Sequence, residues 1–301
     1  MEQLLLLVVC FLLGVVLRRT GRIPPGATSA LNAFVITISL PALALLYIHE
    51  LRFDSALLAV IAVPWVLFAI GFIFFRAVGT RMGLARGTIG CLILVGALGN
   101  TSFVGLPMIE AFYGRDALGV GILVDQPGTF LILSTLGLVV AARYSSGELR
   151  RSEIVRRVLR FPPFLAMLLG LVLIPLPYPP AVTFLLKRLG ETLTPLALVS
   201  VGLGLKLSDI HGNRSRVMLG LSYKLLLGPA CIVLLVLMLP IQKGLPMRVA
   251  VFEAAMSPMI TGAIVAIEHD LDPPLATLML SIGIPLSFLT LPLWWWLLRG
   301  L

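Results

Sequence analysis

The sequence predicts an all-α integral membrane protein of ten transmembrane helices, arranged as two inverted five-helix repeats. Three observations predict it. The 301 residues are 59% hydrophobic and only 12% charged, with a mean hydropathy of +1.05, where a soluble domain is about 25% charged. A chain this apolar has lipid as its solvent. Its apolar stretches match the length a helix needs to cross roughly 30 Å of hydrocarbon at 1.5 Å per residue. Finally, glycines and prolines that punctuate the first half recur in the second at a nearly constant offset.

Cutting the chain at charged or proline-rich breaks gives spans near 3–17, 28–48, 55–75, 87–112, 117–142, 162–176, 180–205, 217–239, 248–268 and 274–298. The first, Gln3 to Leu17, lacks a basic leader and a small-residue cleavage site and runs straight into Arg18 and Arg19. It is expected to be a retained helix, not a cleaved signal. The second follows Pro24-Pro25, the third ends at Arg76, and the fourth and fifth are separated by Arg115 and Asp116. An arginine-rich linker at 143–161 then divides the chain into a first repeat, 1–142, and a second, 162–301. The sixth span stops in a proline-rich turn, and Pro179-Pro180 opens the seventh. The eighth begins after Arg216, and the tenth follows Pro273-Pro274. Cys10, Cys91 and Cys231 all lie inside apolar runs without CxxC spacing, so they are expected to be free thiols.

The repeat is read from FLLGVVL, Pro24-Pro25 and LPALAL, which match MLLGLVL, Pro179-Pro180 and TPLALV. Gly14 maps onto Gly170, Pro25 onto Pro180 and Pro41 onto Pro195, at offsets of 156, 155 and 154. A weaker echo pairs Gly105 with Gly262 and Asp116 with Asp272. A repeat of five crossings enters the membrane from the opposite side in its second copy, which makes it inverted, the common plan of secondary transporters. With the N-terminus outside, fifteen Lys and Arg fall in inner loops, the linker among them, and seven in outer ones. The positive-inside rule therefore predicts both termini outside a cell (inner or plasma) membrane and a cytoplasmic linker.

Two spans are interrupted. The fourth reads GALGNTSFVGLPMIEAFYG and the ninth EAAMSPMITGAIVAIEH. Proline removes a backbone donor and glycine loosens a helix, so both stretches free polar backbone at membrane depth. Such backbone is tolerated only where protein or a water-filled cavity receives it, and paired broken helices are the usual pointer to a binding site. Asn100, Thr101 and Ser102 stand where a half-helix begins, with amide groups and a dipole suited to a carboxylate. Ser257, Pro258 and Thr261 form the counterpart. The bland alternative is that these prolines only kink their helices.

Asp125 lies nine residues, roughly 13 Å, past Arg115 and Asp116, near the midplane. A carboxylate there costs at least about 2.5 kcal/mol and so is paired or functional. Asp125 with its neighbour Gln126 is expected to couple a proton or cation, the alternative being a pair with Lys224. Lys224, about 12 Å past Arg216 in the eighth span, either snorkels or pairs, or else holds negative charge of a substrate. Glu110, Glu191 and Glu253 are expected to be interfacial or paired.

At these residues the chain resembles the auxin efflux carrier family, the permeases related to the PIN carriers. GNTSFVGLP at Gly99 to Pro107, SLPAL at Ser39 to Leu43, the intramembrane Asp125, KLLLGP at Lys224 to Pro229 and the Pro258 break carry the resemblance. It covers the whole chain, and it implies the bile-acid symporter and sodium-proton antiporter type of fold. Helices 1, 2, 6 and 7 would form a scaffold, with a transport domain of helices 3–5 and 8–10. Helices 4 and 9 would cross at Pro107 and Pro258 beside a small organic anion such as malate, malonate or an auxin-like weak acid. Relatives also imply a homodimer. Where bacterial relatives often continue the fifth-span acid as D-x-x-N, this chain reads Asp125-Gln126-Pro127-Gly128, a departure that bears on the coupling ion.

Other classes lack their parts. There is no GxxxxGK[ST], HExxH or GxSxG, and His49, His211 and His269 sit at span ends. Nucleotide-driven transport, metalloprotease and serine hydrolase chemistry are not expected, nor is a metal or cofactor. The arginines occupy short loops between apolar runs, so the expected partner of the basic charge is the bilayer, not nucleic acid. Trp294-Trp295-Trp296 is expected to be an interfacial belt. Two rivals to a proton- or cation-coupled permease are a sodium-coupled symporter of the bile-acid type and a non-transporting anion sensor; the 143–160 segment is short for a signalling domain.

Overall fold

The computed structural model describes residues 2–21, 23–24, 26–51, 56–145, 155–156, 158–205 and 212–301. The predicted linker lies largely outside these residues, as do Arg22, Pro25, Arg52, Lys206 and His211. The regular structure among the described residues is helical. In order the helices are α1 (Glu2–Thr20), α2 (Ala27–His49), α3 (Ala56–Arg81), α4 (Arg86–Gly96), α5 (Leu106–Tyr113), α6 (Arg115–Tyr144), α7 (Pro162–Leu173), α8 (Pro180–Gly190), α9 (Leu193–Gly204), α10 (Arg214–Met238), α11 (Leu245–Ala254), α12 (Ile260–Glu268) and α13 (Pro273–Gly300). Among the described residues there is no strand, and the one isolated bridge pairs Gly99 with Pro258. Six helices are long and apolar enough to cross a membrane: α1, α2, α3, α6, α10 and α13. This is a multi-pass membrane protein. The predicted fourth and ninth spans are each split, as α4 with α5 and α11 with α12.

Prolines explain much of the local geometry. Helices α2 and α10, and the chain leading into α5, contain π-helical turns at Val35–Ser39, Tyr223–Leu227 and Thr101–Gly105. Each ends two residues before a proline, at Pro41, Pro229 and Pro107 respectively. A proline gives no N–H to the carbonyl four residues back, and one turn of wider winding absorbs the mismatch. The orphaned carbonyl must then find another donor. For Pro229 it is Leu225, whose carbonyl accepts from the indole N–H of Trp294 at 2.8 Å. Trp294 is accordingly buried, while Trp296 is exposed and Trp295 carries Arg299 over its ring at 3.8 Å. The expected aromatic belt is thus partial, because one of its three rings serves inside the protein.

The chain divides into two compact units, Met1–Phe53 with Ser102–Ile122 and Val158–Leu205, and Asp54–Thr101 with Leu123–Arg157 and Lys206–Leu301. In the first, α1 packs along α9, and α2 packs on α7 and α8. Glycines set these distances: a Cβ at Gly14 would stand 2.9 Å from the Cα of Gly202, and one at Gly170 would stand 3.3 Å from the carbonyl oxygen of Ala44. The two glycines matched at offset 156 therefore do matching work, each letting its helix approach a neighbour's backbone, the way apolar helices associate without a hydrophobic drive. Polar ties accompany the packing, Ser39 to Thr192 at 2.7 Å and Ser200 to Asn32 at 2.5 Å.

This unit also holds an ionic cluster. Arg115 bonds Glu110 and Glu191, each at 2.9 Å, and Thr194 donates to the second oxygen of Glu110 at 3.0 Å. Glu110 and Glu191 are thus paired, as expected. Because Arg115 is 40% exposed, each pair contributes roughly 0.2–1 kcal/mol. Arg115→Met is expected to lower the melting temperature of the detergent-purified protein modestly, and the deficit should shrink in high salt, which screens exposed charges.

The second unit is built on a core of α3, α4, α6, α10, α12 and α13 residues, including Phe75, Leu92, Leu94, Tyr223, Ala263 and Met279. Asp272 ties three of these helices together. It caps α13 by accepting from the Leu275 amide, accepts from Thr88 of α4 at 2.7 Å, and meets Arg216 of α10 at 3.5 Å.

Candidate functional site

The breaks at 97–100 and 255–259 meet inside the second unit. The Asn100 amide donates to the Ser257 carbonyl at 2.9 Å, and Gly99 bridges Pro258. Backbone groups freed by each interruption are therefore satisfied by the other, which is how non-helical chain is tolerated away from water. The meeting point in the first half is Gly99 and Asn100, eight and seven residues before Pro107. Pro107 lies further on, where the π-helical turn at Thr101–Gly105 passes into α5. Gly99 suits this close approach, since a Cβ would stand 3.1 Å from Lys224 Nζ and 3.3 Å from the Glu253 carbonyl oxygen.

Lys224 has a clear local role. Pro258 cannot supply an N–H to the carbonyl of Ala254 at the end of α11, and the Lys224 ammonium supplies a donor in its place, at 2.9 Å. A cation at a helix C-terminus is also favoured by the helix dipole. Lys224 is 1% exposed, so it does not snorkel. Asp125, 2% exposed in a π-helical turn at Asp125–Phe130, accepts from Thr101 Oγ1 on one oxygen and from Gln126 Nε2 on the other at 2.5 Å. Trp65 pins the same turn by donating to the Pro127 carbonyl at 3.0 Å.

The second unit thus assembles Asn100, Thr101, Asp125, Gln126, Lys224, Ser257 and Pro258. Thr261 lies in the first turn of α12 and is half-buried, while Ser102 and Pro107 belong to the chain segment of the first unit. Several buried polar atoms here have no hydrogen-bond partner among the described residues: Gln126 Oε1, Ser257 Oγ and both carboxylate oxygens of Glu253. Such groups are rare in folded proteins and mark places where water, an ion or a ligand belongs.

Glu253 is the residue that sequence reading misplaced. It is neither interfacial nor hydrogen-bonded, and it is 1% exposed. The reason is the helix start: α11 begins at Leu245, behind Gly244 with φ of 145° and with Pro246 in its first turn, not at the expected 248. Counted from Leu245, Glu253 is about 12 Å deep, nearly the depth of Asp125 by the same rule. Beside it lies a void lined by Gly99, Thr101, Val124, Thr129, Glu253 and Ala254. It admits roughly one water molecule.

Paired helix interruptions meeting at a buried polar cluster within an apolar helical protein define a membrane transporter. The chain belongs to the membrane transport protein family, the auxin efflux carrier-like transporters, whose sequence model matches residues 1–295. It is 31% identical over 297 residues to an uncharacterized transporter of Methanothermobacter thermautotrophicus, covering 97% of this chain and 96% of that one. It is 27% identical over 309 residues to an uncharacterized transporter of Methanocaldococcus jannaschii, covering 99% and 98% respectively.

Proposed function

We propose that this transporter moves a small organic anion, a mono- or dicarboxylate of the malate, malonate or auxin-like type, by alternating access coupled to a proton or cation. The observation that carries the reading is the contact of the two breaks, Asn100 amide to Ser257 carbonyl, in a region with unpartnered polar atoms. The half-helix that follows Asn100 presents its first amides, at Thr101 and Ser102, and the one that opens at Ile260 presents Thr261. Helix N-termini of this kind attract a carboxylate. Asp125 with Gln126 forms the fixed acidic centre for ion coupling, and the buried Lys224 supplies positive charge.

The matched packing of Gly14 and Gly170 supports two inverted repeats in a ten-helix protein. The division proposed is a scaffold of helices 1, 2, 6 and 7 and a transport domain of helices 3–5 and 8–10, with helices 4 and 9 crossing at the breaks; the grouping of Met1–Phe53 with Val158–Leu205 supports the scaffold, whereas Ser102–Ile122, the second half of helix 4 and the start of helix 5, groups with it as well. On the positive-inside count the termini face outward from a cell membrane, and the scaffold is the surface through which a homodimer would form.

Radiolabelled malate and malonate uptake into proteoliposomes, with and without pH and sodium gradients, tests the reading. Gradient-dependent flux should appear in the wild type and fall at least about tenfold in Asn100→Ala and Asp125→Asn, a loss equivalent to about 1.4 kcal/mol. Absence of wild-type flux for every acid tried would remove the anion assignment. Flux that responds to sodium alone would replace the proton by that ion.

A further inference from the structure

The crossing region contains a carboxyl group that anion binding does not use. Neither oxygen of Glu253 has a hydrogen-bond partner among the described residues, and the side chain is 1% exposed. Asp125 shows the contrast, because Thr101 and Gln126 donate to its two oxygens, and hydrogen bonds donated to a carboxylate favour the ionised form. An ionised carboxylate removed from water without hydrogen bonds costs several kcal/mol, far more than a neutral carboxyl. Helix α11 packs on α3, α10 and α13. The charged groups that act on Glu253 are Asp125 from α6 and Lys224 from α10. A negative Asp125 opposes a second negative charge beside it, and the Lys224 ammonium is already bonded to the Ala254 carbonyl. The adjoining void, with room for roughly one water, can pass a proton and is far too small for a carboxylic acid.

We propose that Glu253 is the proton-carrying group of the transport cycle, protonated while the crossing region is closed and ionised when that region opens to water. This deepens the transporter reading and rests on it. The step is a simple transfer: Glu253 gains an O–H bond from hydronium on one side of the membrane and returns the proton to water on the other, with nothing oxidised or reduced. Asp125 stays ionised throughout and serves as the fixed neighbour.

Infrared difference spectroscopy of the purified protein across a pH titration decides the protonation part without any substrate. The wild type should show the carbonyl stretch of a buried protonated carboxyl group. That band should vanish in Glu253→Gln, shift in Glu253→Asp, and persist in Asp125→Asn. A wild type showing only ionised carboxylates, or a band that survives Glu253→Gln, overturns the proposal. The coupling part is read from malonate uptake as the ratio of flux with and without an imposed pH gradient, which should fall to about one in Glu253→Gln. A band belonging to Glu253 together with an unchanged ratio also overturns it, since the proton would then be structural. If the wild type moves neither malate nor malonate, the substrate assignment fails while the infrared result still decides whether Glu253 holds a proton.

Discussion

Gly99→Val is expected to cut gradient-driven uptake about tenfold or more while leaving the protein membrane-inserted and helical. The position is tight for any side chain: a Cβ would stand 3.1 Å from Lys224 Nζ and 3.3 Å from the Glu253 carbonyl oxygen. A branched side chain must displace the ammonium from the Ala254 carbonyl, and with it the cap on α11. It must also separate Gly99 from Pro258 and Asn100 from Ser257, the contact that holds the two breaks together. Overpacking of this kind costs about 1–3 kcal/mol, and because every 1.4 kcal/mol is a factor of ten, flux should fall by about tenfold or more. Gly99→Ala should lie between wild type and Gly99→Val. Uptake of labelled malonate, compared with circular dichroism and size-exclusion profiles of the same preparations, separates this from general misfolding. Wild-type flux in Gly99→Val would mean that the crossing is not part of the transport path.

The second large effect is on stability. Gly14→Leu should lower the melting temperature more than any single lipid-facing substitution on the same helix. At Gly14 even a Cβ would stand 2.9 Å from the Cα of Gly202 and 3.0 Å from the Leu203 amide nitrogen. These are backbone atoms that cannot rotate away, so α1 and α9 must part along their length. The cost is about 3 kcal/mol, the upper part of the range for overpacked sites. Leu12→Ala is the control, because Leu12 is 51% exposed on a helix whose outer surface faces lipid. Thermal unfolding in detergent, followed by the fluorescence of a thiol-reactive dye or by loss of soluble protein, should rank wild type and Leu12→Ala together and Gly14→Leu well below. Equal melting temperatures for all three would show that the glycine contact is not needed for the packing of these helices.

Composition and proline spacing made the class of fold and the two interruptions legible. No soluble fold tolerates so few charges, and GNTSFVGLP and AAMSPMITG can be recognised as broken helices because proline and glycine act on their own few residues. The candidate residues Asn100, Thr101, Asp125, Gln126, Ser257 and Pro258 were legible for the same reason, being polar groups in stretches where lipid permits few. The partners of these residues were not legible. Lys224 read equally well as a snorkelling cation, a counter-ion or a substrate contact, and only the approach of α10 to the end of α11 assigns its ammonium to the Ala254 carbonyl. Trp294 read as one of three interfacial rings, and its bond to the carbonyl left free by Pro229 depends on α13 lying against α10. Glu253 reads as interfacial or paired when its helix is started at 248, three residues late, and one turn at a helix end is enough to change the apparent depth of a charge.

The sequence by itself therefore determined that this chain is a helical membrane protein with two matched interruptions, because lipid burial, charge placement and proline geometry act locally along the chain. The tertiary structure decided which freed carbonyl meets which donor, which glycine carries a close helix crossing and which acid is left without a partner. Those are questions of distance between residues far apart in the chain, and apolar helices that all resemble one another in composition carry no local signal of which neighbour they will face.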